Sequence, residues 1–236
     1  MLIKQITCVS LSLYFLSSLT ACSDNSSSDK ENNVITQSYE LTFSNLTSNQ
    51  PMSPLAISIH GADYTAWTIG EKASVGLETL AESGNGKPFL VEASNAGAHL
   101  TTMGAGLVLP GQEELLELNA DYTHDLMLSF ATMMVNTNDG FVGVQKLDIS
   151  NLEINEAVAV FIPVYDAGTE KNSELADTIP GPADNGEGFN AIRDDVNVVA
   201  RHPGVVTHEE GYNESVLDST HRFDSPAAKL RIKRTQ

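Results

Sequence analysis

Cysteine is almost absent from this chain. It has two, Cys8 and Cys22, and both lie near the start of its 236 residues. The residues after Cys22 therefore form no disulfide bond and offer no thiol for catalysis. The stability of the folded part must come from packing, or from packing together with a metal ion.

Basic residues are also scarce. The chain has 13 Lys and Arg against 31 Asp and Glu, and its formal net charge is −18. A nucleic-acid-binding domain needs a basic face, so this balance argues against one. The surplus of acids suits a protein that binds cations, and it equally suits a protein that only has to remain soluble. With 41% hydrophobic residues, the chain is long enough for one large domain or two small ones with a real core.

The N-terminal residues are typical of a secretory signal. One lysine in "MLIK" precedes the short apolar run "ITCVSLSLYFLSSL". A membrane-spanning helix needs about 20 apolar residues, so this run favours a cleaved signal peptide. The following "LTAC", which ends at Cys22, and the polar "SDNSSSDKENN" resemble the lipobox and tether of bacterial lipoproteins.

This resemblance implies a signal peptide over residues 1–21, a lipid anchor on Cys22 and a flexible tether over residues 22–38. The protein is then held at a membrane in the cell envelope. Ser23 after the cysteine resembles the outer-membrane sorting pattern more than inner-membrane retention. The alternative is an ordinary signal peptide that a chance cysteine follows.

Hydrophobic periodicity after the tether predicts a mainly β protein, with order beginning near Val34 or Tyr39. A helical pattern interrupts the strands at "ASVGLETLAESG", where Ser74 is a possible N-cap and Gly84 a stop, and briefly again near Pro88. Residues 177–225 are rich in turn formers and are predicted to be mostly loop. The following segments alternate or are continuously apolar and are predicted as strands: "YELTFSNLT", "SPLAISIHG", "DLMLSFATMMV", "GFVGVQKLDI", "AVAVFIPVY" and "AAKLRIKR".

This pattern favours an antiparallel β-sandwich over residues 39–236 with one or two short inserted helices, and the first and last strands are expected to pair. The final strand carries a basic stripe and is expected near a sheet edge. The stripe favours either a solvated edge or a site for a polyanion such as a sulfated glycan. Its members are Lys229, Arg231, Lys233 and Arg234.

Two acidic loops are the best candidate for a functional site. Asp139 lies in "NTNDGFVGV", and Asp166 and Glu170 lie in "PVYDAGTE". If the flanking segments are neighbouring strands, these loops meet at one end of a sheet. Three carboxylates brought together repel one another unless a cation or a proton lies between them, and Ca²⁺ prefers such oxygen ligands. Asp and Gly are also ordinary turn residues, so the sequence leaves a turn without a metal as the alternative.

The motifs "LTFSNLTSNQPMSPLAISIH", "GEKASVGLETLAESG", "VNTNDGFVGV" and "PVYDAGTEKN" occur in this order and resemble the spondin domain of F-spondin, mindin and their bacterial relatives. The resemblance spans roughly Tyr39 to Lys233. It implies a C2-like sandwich that binds a divalent cation, most readily Ca²⁺, through Asp139, Asp166 and Glu170. Position 170 holds Glu where animal members usually have Asp, and the domain lacks their cysteines.

The expected function is that of a non-enzymatic, lipid-anchored envelope protein for adhesion or for binding a matrix or a partner, either a protein or a glycan. No Gly-x-Ser-x-Gly elbow occurs, and "HEEGYNE" lacks the second histidine of a metalloprotease helix. Two alternatives remain open: a metal-dependent hydrolase of envelope polymers, and a structural component of envelope assembly. A loop with His60, Asp63 and Trp67 is interpreted as a cover over the sandwich end rather than as a site.

Overall fold

The computed structural model describes residues 35–236. The predicted signal peptide, Cys22 and nearly all of the predicted tether lie outside the described residues. None of the helices in the described part is long and apolar enough to cross a bilayer. The elements follow one another as β1 Thr36–Asn45, β2 Ala56–His60, α1 Val75–Ser83, α2 Lys87–Asn95, β3 Leu100–Met103, β4 Glu113–Asp121, β5 Met127–Met133, β6 Gly140–Asp148, β7 Ala157–Ile162, β8 Val164–Asp166, β9 Ala200–Arg201 and β10 Ala228–Arg234.

Two antiparallel sheets form a sandwich, so the predicted fold class is confirmed. One sheet has the strand order β4-β1-β10-β7, and the other has the order β3-β2-β5-β6-β8-β9. Alternation in β1 turns Tyr39, Leu41 and Phe43 inward, where each is at most 1% exposed. Phe43 meets Phe130 of the facing sheet edge to face, with ring centroids 5.5 Å apart. The main core therefore lies between the sheets.

Strand β10 is not at an edge, and that prediction is wrong. It pairs with β1 on one side and with β7 on the other. The expected pairing of the first and last strands is confirmed, with Tyr39 opposite Arg234. Arg231 lies 3.7 Å from Glu40 on β1, so the basic stripe faces a neighbouring acid instead of protecting a free edge. The alternation in "AAKLRIKR" fixes which side chains face inward, but it does not fix the order of strands in the sheet.

The two helices cover the outer face of the six-stranded sheet. Ser74 caps α1 by accepting a hydrogen bond from the Leu77 amide at 3.1 Å, and Gly84 ends the helix with φ +70°. Leu77 and Leu80 pack in a second core. The six-stranded sheet is therefore buried on both faces, which explains its continuously apolar strands.

The chain between β8 and β10 is mostly loop, as predicted. It contains β9 and two 3₁₀ turns, His208–Glu210 and Ser219–His221. A small cluster of Ile179, Val205 and Leu217 anchors it. Its first part packs against the acidic end of the six-stranded sheet.

Candidate metal centre

The three predicted acids lie at the same end of the six-stranded sheet. Asp139 immediately precedes β6, and Asp166 is the last residue of β8. Gly140 is the pairing partner of Asp166, and the Ala167 amide donates to the Asp139 carbonyl at 3.2 Å. Glu170 follows in the next turn of the loop, where its amide donates to the Asp139 carboxylate at 3.1 Å. Strand pairing thus brings together acids that are about 30 residues apart in the sequence.

Asp139 is fully buried, and only one of its two carboxylate oxygens has hydrogen-bond partners. Its Oδ2 accepts hydrogen bonds from the amide and the hydroxyl of Thr169, at 2.7 and 3.1 Å. Its Oδ1 is buried and has no hydrogen-bond partner among the described residues. Burial, and then the charge of Asp166, raise the pKa of Asp139 to about 7. The carboxylate therefore needs a proton or a cation at Oδ1.

Asp166 is held by its own loop. Its Oδ1 accepts from the Gly168 amide at 2.6 Å, and its Oδ2 accepts from the Asn172 side chain at 2.5 Å. Burial still raises the pKa of Asp166 above its ordinary value, although these hydrogen bonds lower it. Gly168 has φ +70°, and a Cβ there would lie 2.3 Å from the Val198 carbonyl oxygen. The glycine of the "DAGTE" motif is thus required for the loop to pack closely.

Glu170 is half buried among other acids. Burial raises its pKa to about 8, followed in size by the charges of Glu82, Asp139, Glu187 and Asp194. A cavity of about 350 Å³ opens beside it. The cavity lining includes Asn138, Ser173 and Thr178, as well as Glu170, Glu187 and Asp194. This concentration of negative charge favours a cation over an anion.

Glu82, on α1, is the acid that the sequence analysis missed. It is fully buried, its Oε2 accepts from the Asn190 amide at 2.9 Å, and its Oε1 has no hydrogen-bond partner among the described residues. Burial raises its pKa. One feature of the sequence does single out Glu82. It lies in the last turn of a helix, where a negative charge interacts unfavourably with the helix dipole and is unusual.

Oxygen ligands of this kind suit a hard cation. Within residues 35–236, however, no three Asp, Glu, His or Cys side chains form a group that could hold a metal ion by themselves. A bound ion therefore needs additional oxygen atoms from amides, backbone carbonyls or water, as is usual for Ca²⁺. The unpartnered Oδ1 of Asp139 is a position that such an ion would satisfy, so the residues present fit a divalent cation.

A family model described as Spondin_N matches residues 36–180 of the chain. The chain belongs to the Spondin_N family. The matched part includes both acidic loops and more than half of the chain. No curated protein shows a significant match to the chain. Spondin domains are non-catalytic modules of an adhesion or extracellular type.

The structural domain extends beyond the matched part of the spondin family model. Strand β10, Ala228–Arg234, lies after residue 180, yet it is an interior strand of the four-stranded sheet. The core residues Leu230 and Ile232 come from this strand and are fully buried. The spondin domain of this protein therefore needs its C-terminal segment to complete the sandwich.

The loop with His60, Asp63 and Trp67 has a structural role in this spondin domain. Trp67 is buried and packs edge to face on Phe141, with centroids 5.3 Å apart. The His60 ring lies 2.8 Å from the Ser129 hydroxyl, but its other nitrogen lies 2.7 Å from the Gly61 carbonyl oxygen. A nucleophilic triad needs a carboxylate at that second nitrogen. Trp67 packs with Leu77 and Leu80 in the second core, on the outer face of the six-stranded sheet, so the loop contributes to packing there and not at the end of the sandwich.

Proposed function

We propose that this protein is a lipid-anchored component of a bacterial cell envelope, and that its spondin domain binds Ca²⁺ through Asp139, Asp166 and Glu170. In this proposal the domain is non-enzymatic and serves adhesion or the binding of a matrix or partner molecule. The anchor is the acylated Cys22, and the localisation is the outer membrane.

The observation that carries the proposal is the buried Oδ1 of Asp139. A buried carboxylate oxygen without a partner loses its hydration and gains nothing in return, which costs about 1–3 kcal/mol or more for a charged group. Asp166 lies on the paired strand and adds like-charge repulsion. A divalent cation between the two removes both penalties at once.

The roles of the three acids follow from their positions. Asp139 fixes the loop by accepting two amides and one hydroxyl on Oδ2, which leaves Oδ1 free for the ion. Asp166 lies on the paired strand opposite Gly140, and Glu170 lies in the loop that the Asp139 carboxylate holds. The bound ion supplies positive charge and fixed coordination geometry, and it thereby ties the loop after β8 to the start of β6.

Adhesion is supported by the family and by the position of the acids. Spondin domains are adhesion or extracellular-type modules, and a fixed, charged loop at the end of a rigid sandwich is a suitable binding surface. The acids accept backbone hydrogen bonds that position the loop. Such hydrogen bonds are expected where a bound ion fixes the conformation of a surface loop.

Calcium binding is tested by thermal unfolding of the tether-free domain, residues 35–236, with and without Ca²⁺. An ion that binds only the folded form stabilises it by about 2.7 kcal/mol at a hundredfold excess over Kd. We expect Ca²⁺ to raise the Tm, and we expect Asp139→Asn to abolish this rise. Glu214→Gln removes the same charge from an exposed position and is the matched control. A wild-type Tm that changes neither with Ca²⁺ nor with a chelator contradicts the proposal.

The anchor is tested separately with the full chain. Cys22→Ser should lose incorporation of labelled palmitate and should move from the membrane fraction to the soluble fraction. Retention of the label by the variant contradicts the assignment of Cys22.

A further inference from the structure

Among the sheet edges in residues 35–236, only β7 lacks the usual protection. Edge strands pair with other chains unless they are short, charged or interrupted by proline. The edge strands β3 and β9 have only four and two residues, and the edge strand β4 carries four acids in "EELLELNAD". Strand β7 has six residues, "AVAVFI", with neither a charge nor a proline. The fold thus leaves this edge open to a further strand.

The free hydrogen-bonding groups of β7 belong to its odd-numbered residues. Just before the strand, the Glu156 carbonyl accepts a hydrogen bond from the Arg234 amide at 3.0 Å. At its end, the Ile162 carbonyl accepts one from the Ala227 amide at 2.9 Å. The even-numbered residues therefore turn their backbone towards β10, and the odd-numbered residues turn theirs away. No hydrogen bond within residues 35–236 engages this outward row, which consists of Ala157, Ala159 and Phe161.

The side chains of β7 divide into an outer row and an inner row. Phe161 in the outer row is 65% exposed, and the two alanines beside it are exposed as well. Val158 and Val160 in the inner row pack against the main core but are only partly buried. Apolar side chains on the inner face of an added strand complete the burial of these valines.

The charge next to this edge is positive. Lys229 lies opposite Phe161 on β10, and Lys233 lies opposite Ala157. Neither lysine forms an ion pair within residues 35–236. The Lys229 ammonium lies 5.8 Å from the centre of the Phe161 ring, so this cation extends over β7. An added strand lies about 10 Å from β10, which a lysine and a glutamate side chain span together. The outer face beside β7 therefore matches acidic side chains.

Open space continues this edge at its C-terminal end. A groove of about 500 Å³ lies beside Pro163, the residue after β7, and its lining includes Val164 of β8 and Arg201 of β9. The exposed Arg201 guanidinium lies 4.5 Å from the centre of the Tyr165 ring and forms no ion pair in the described part of the chain. An antiparallel strand on β7 begins at this end, so the residues before it meet a third unpaired cation.

We propose that β7 is a docking edge for one extended segment of a partner protein, which adds an antiparallel fifth strand to the four-stranded sheet. The segment alternates apolar side chains on its inner face with acidic side chains on its outer face. Main-chain hydrogen bonds supply affinity, and Lys229, Lys233 and Arg201 select an acidic segment. The β7 strand of a second copy fits less well, because it has no acid and brings its own lysines. This edge belongs to the sheet that does not carry Asp139, and the proposal is independent of calcium.

The probe is a fluorescein-labelled peptide of four Glu-Val repeats, and fluorescence anisotropy follows its binding to residues 35–236. We expect saturable binding that weakens as salt is added, and binding about tenfold weaker for a peptide of four Lys-Val repeats. Ala159→Pro removes a free N–H of β7 and keeps the pairing with β10, so it should weaken binding about tenfold. Leu115→Pro removes an outward N–H of the other edge strand, β4, and is the matched control that should bind as the wild type does.

Hydrogen exchange of the wild type gives a second measurement, which decides if Ala159→Pro does not fold. The outward amides of β7 should exchange rapidly in the free protein and become protected by saturating Glu-Val peptide. The proposal is overturned by absence of binding, by equal binding of the two peptides, by unchanged binding in a folded Ala159→Pro, or by binding that leaves these amides unprotected. Dimerisation of the free wild type in sedimentation, abolished by Ala159→Pro, assigns the edge to a second copy and overturns it as well.

Discussion

The buried acid Asp139 makes the metal-free domain less stable as the pH rises from acidic to neutral. Its folded pKa is about 7, against 3.8 for the unfolded chain. The folded form therefore holds this proton more tightly, and the resulting stability is fully present below pH 3.8 and is lost as the pH rises towards 7. At about 1.4 kcal/mol for each pH unit, the whole loss is about 4 kcal/mol, and about 3 kcal/mol of it falls above pH 5.

His202 has the opposite dependence, so the wild-type curve alone does not isolate Asp139. Burial lowers the pKa of His202 to about 4, so its contribution is present above the unfolded pKa of 6.5 and is lost as the pH falls. The difference between the wild type and Asp139→Asn removes this second group from the comparison. The asparagine keeps the oxygen that accepts from Thr169 but has no proton to lose.

The assay is urea unfolding of metal-free protein at pH 5, 6, 7 and 8. We expect the stability of Asp139→Asn relative to the wild type to rise by about 3 kcal/mol from pH 5 to pH 8. Saturating Ca²⁺ should recover the lost stability of the wild type at pH 8 and leave the variant unchanged. Parallel curves for the two proteins across this range would refute the reasoning, since they would mean that Asp139 ionises as easily in the fold as in water.

Two further substitutions test the local structure. Gly168→Ala places a Cβ against the Val198 carbonyl oxygen in a residue with positive φ. We expect the free energy of unfolding in urea to fall by about 3 kcal/mol. A fall of less than about 1 kcal/mol would contradict the close packing of this loop. Ser74→Ala removes the α1 cap and the hydroxyl that donates to Glu92 at 2.6 Å, with an expected cost of about 1 kcal/mol by the same assay, and an unchanged midpoint would show that the cap is not needed.

The sequence predicted correctly those elements whose ends are marked by nearby residues. Helix α1 begins after Ser74 and ends at Gly84, where the cap and stop residues placed it. Strand β4 was not identified, because Leu115 in "EELLELNAD" points outward and is 60% exposed, which obscures the alternation of its neighbours. One exposed leucine was therefore enough to prevent the prediction of a nine-residue strand.

Features that depend on distant parts of the chain were harder to predict. The interior place of β10 depends on the pairing partners β1 and β7, and a period-two pattern carries no information about either. The meeting of Asp139 with the "DAGTE" loop was predictable because turns between consecutive strands lie at the ends of a sheet. The position of Glu82 at this end was not predictable, since its contact with the Asn190 amide depends on how α1 packs across that sheet.

The hydroxyl of Tyr39, near the start of β1, donates to the Ile149 carbonyl at 3.3 Å, and Ile149 lies just beyond the last residue of β6. Asp139 lies just before the first residue of the same strand. Nine residues at about 3.4 Å each separate the two ends by about 30 Å. The chain therefore enters the sandwich at the end opposite its acidic tip. A fusion partner or surface linkage placed before Thr36 should accordingly leave the acidic tip accessible.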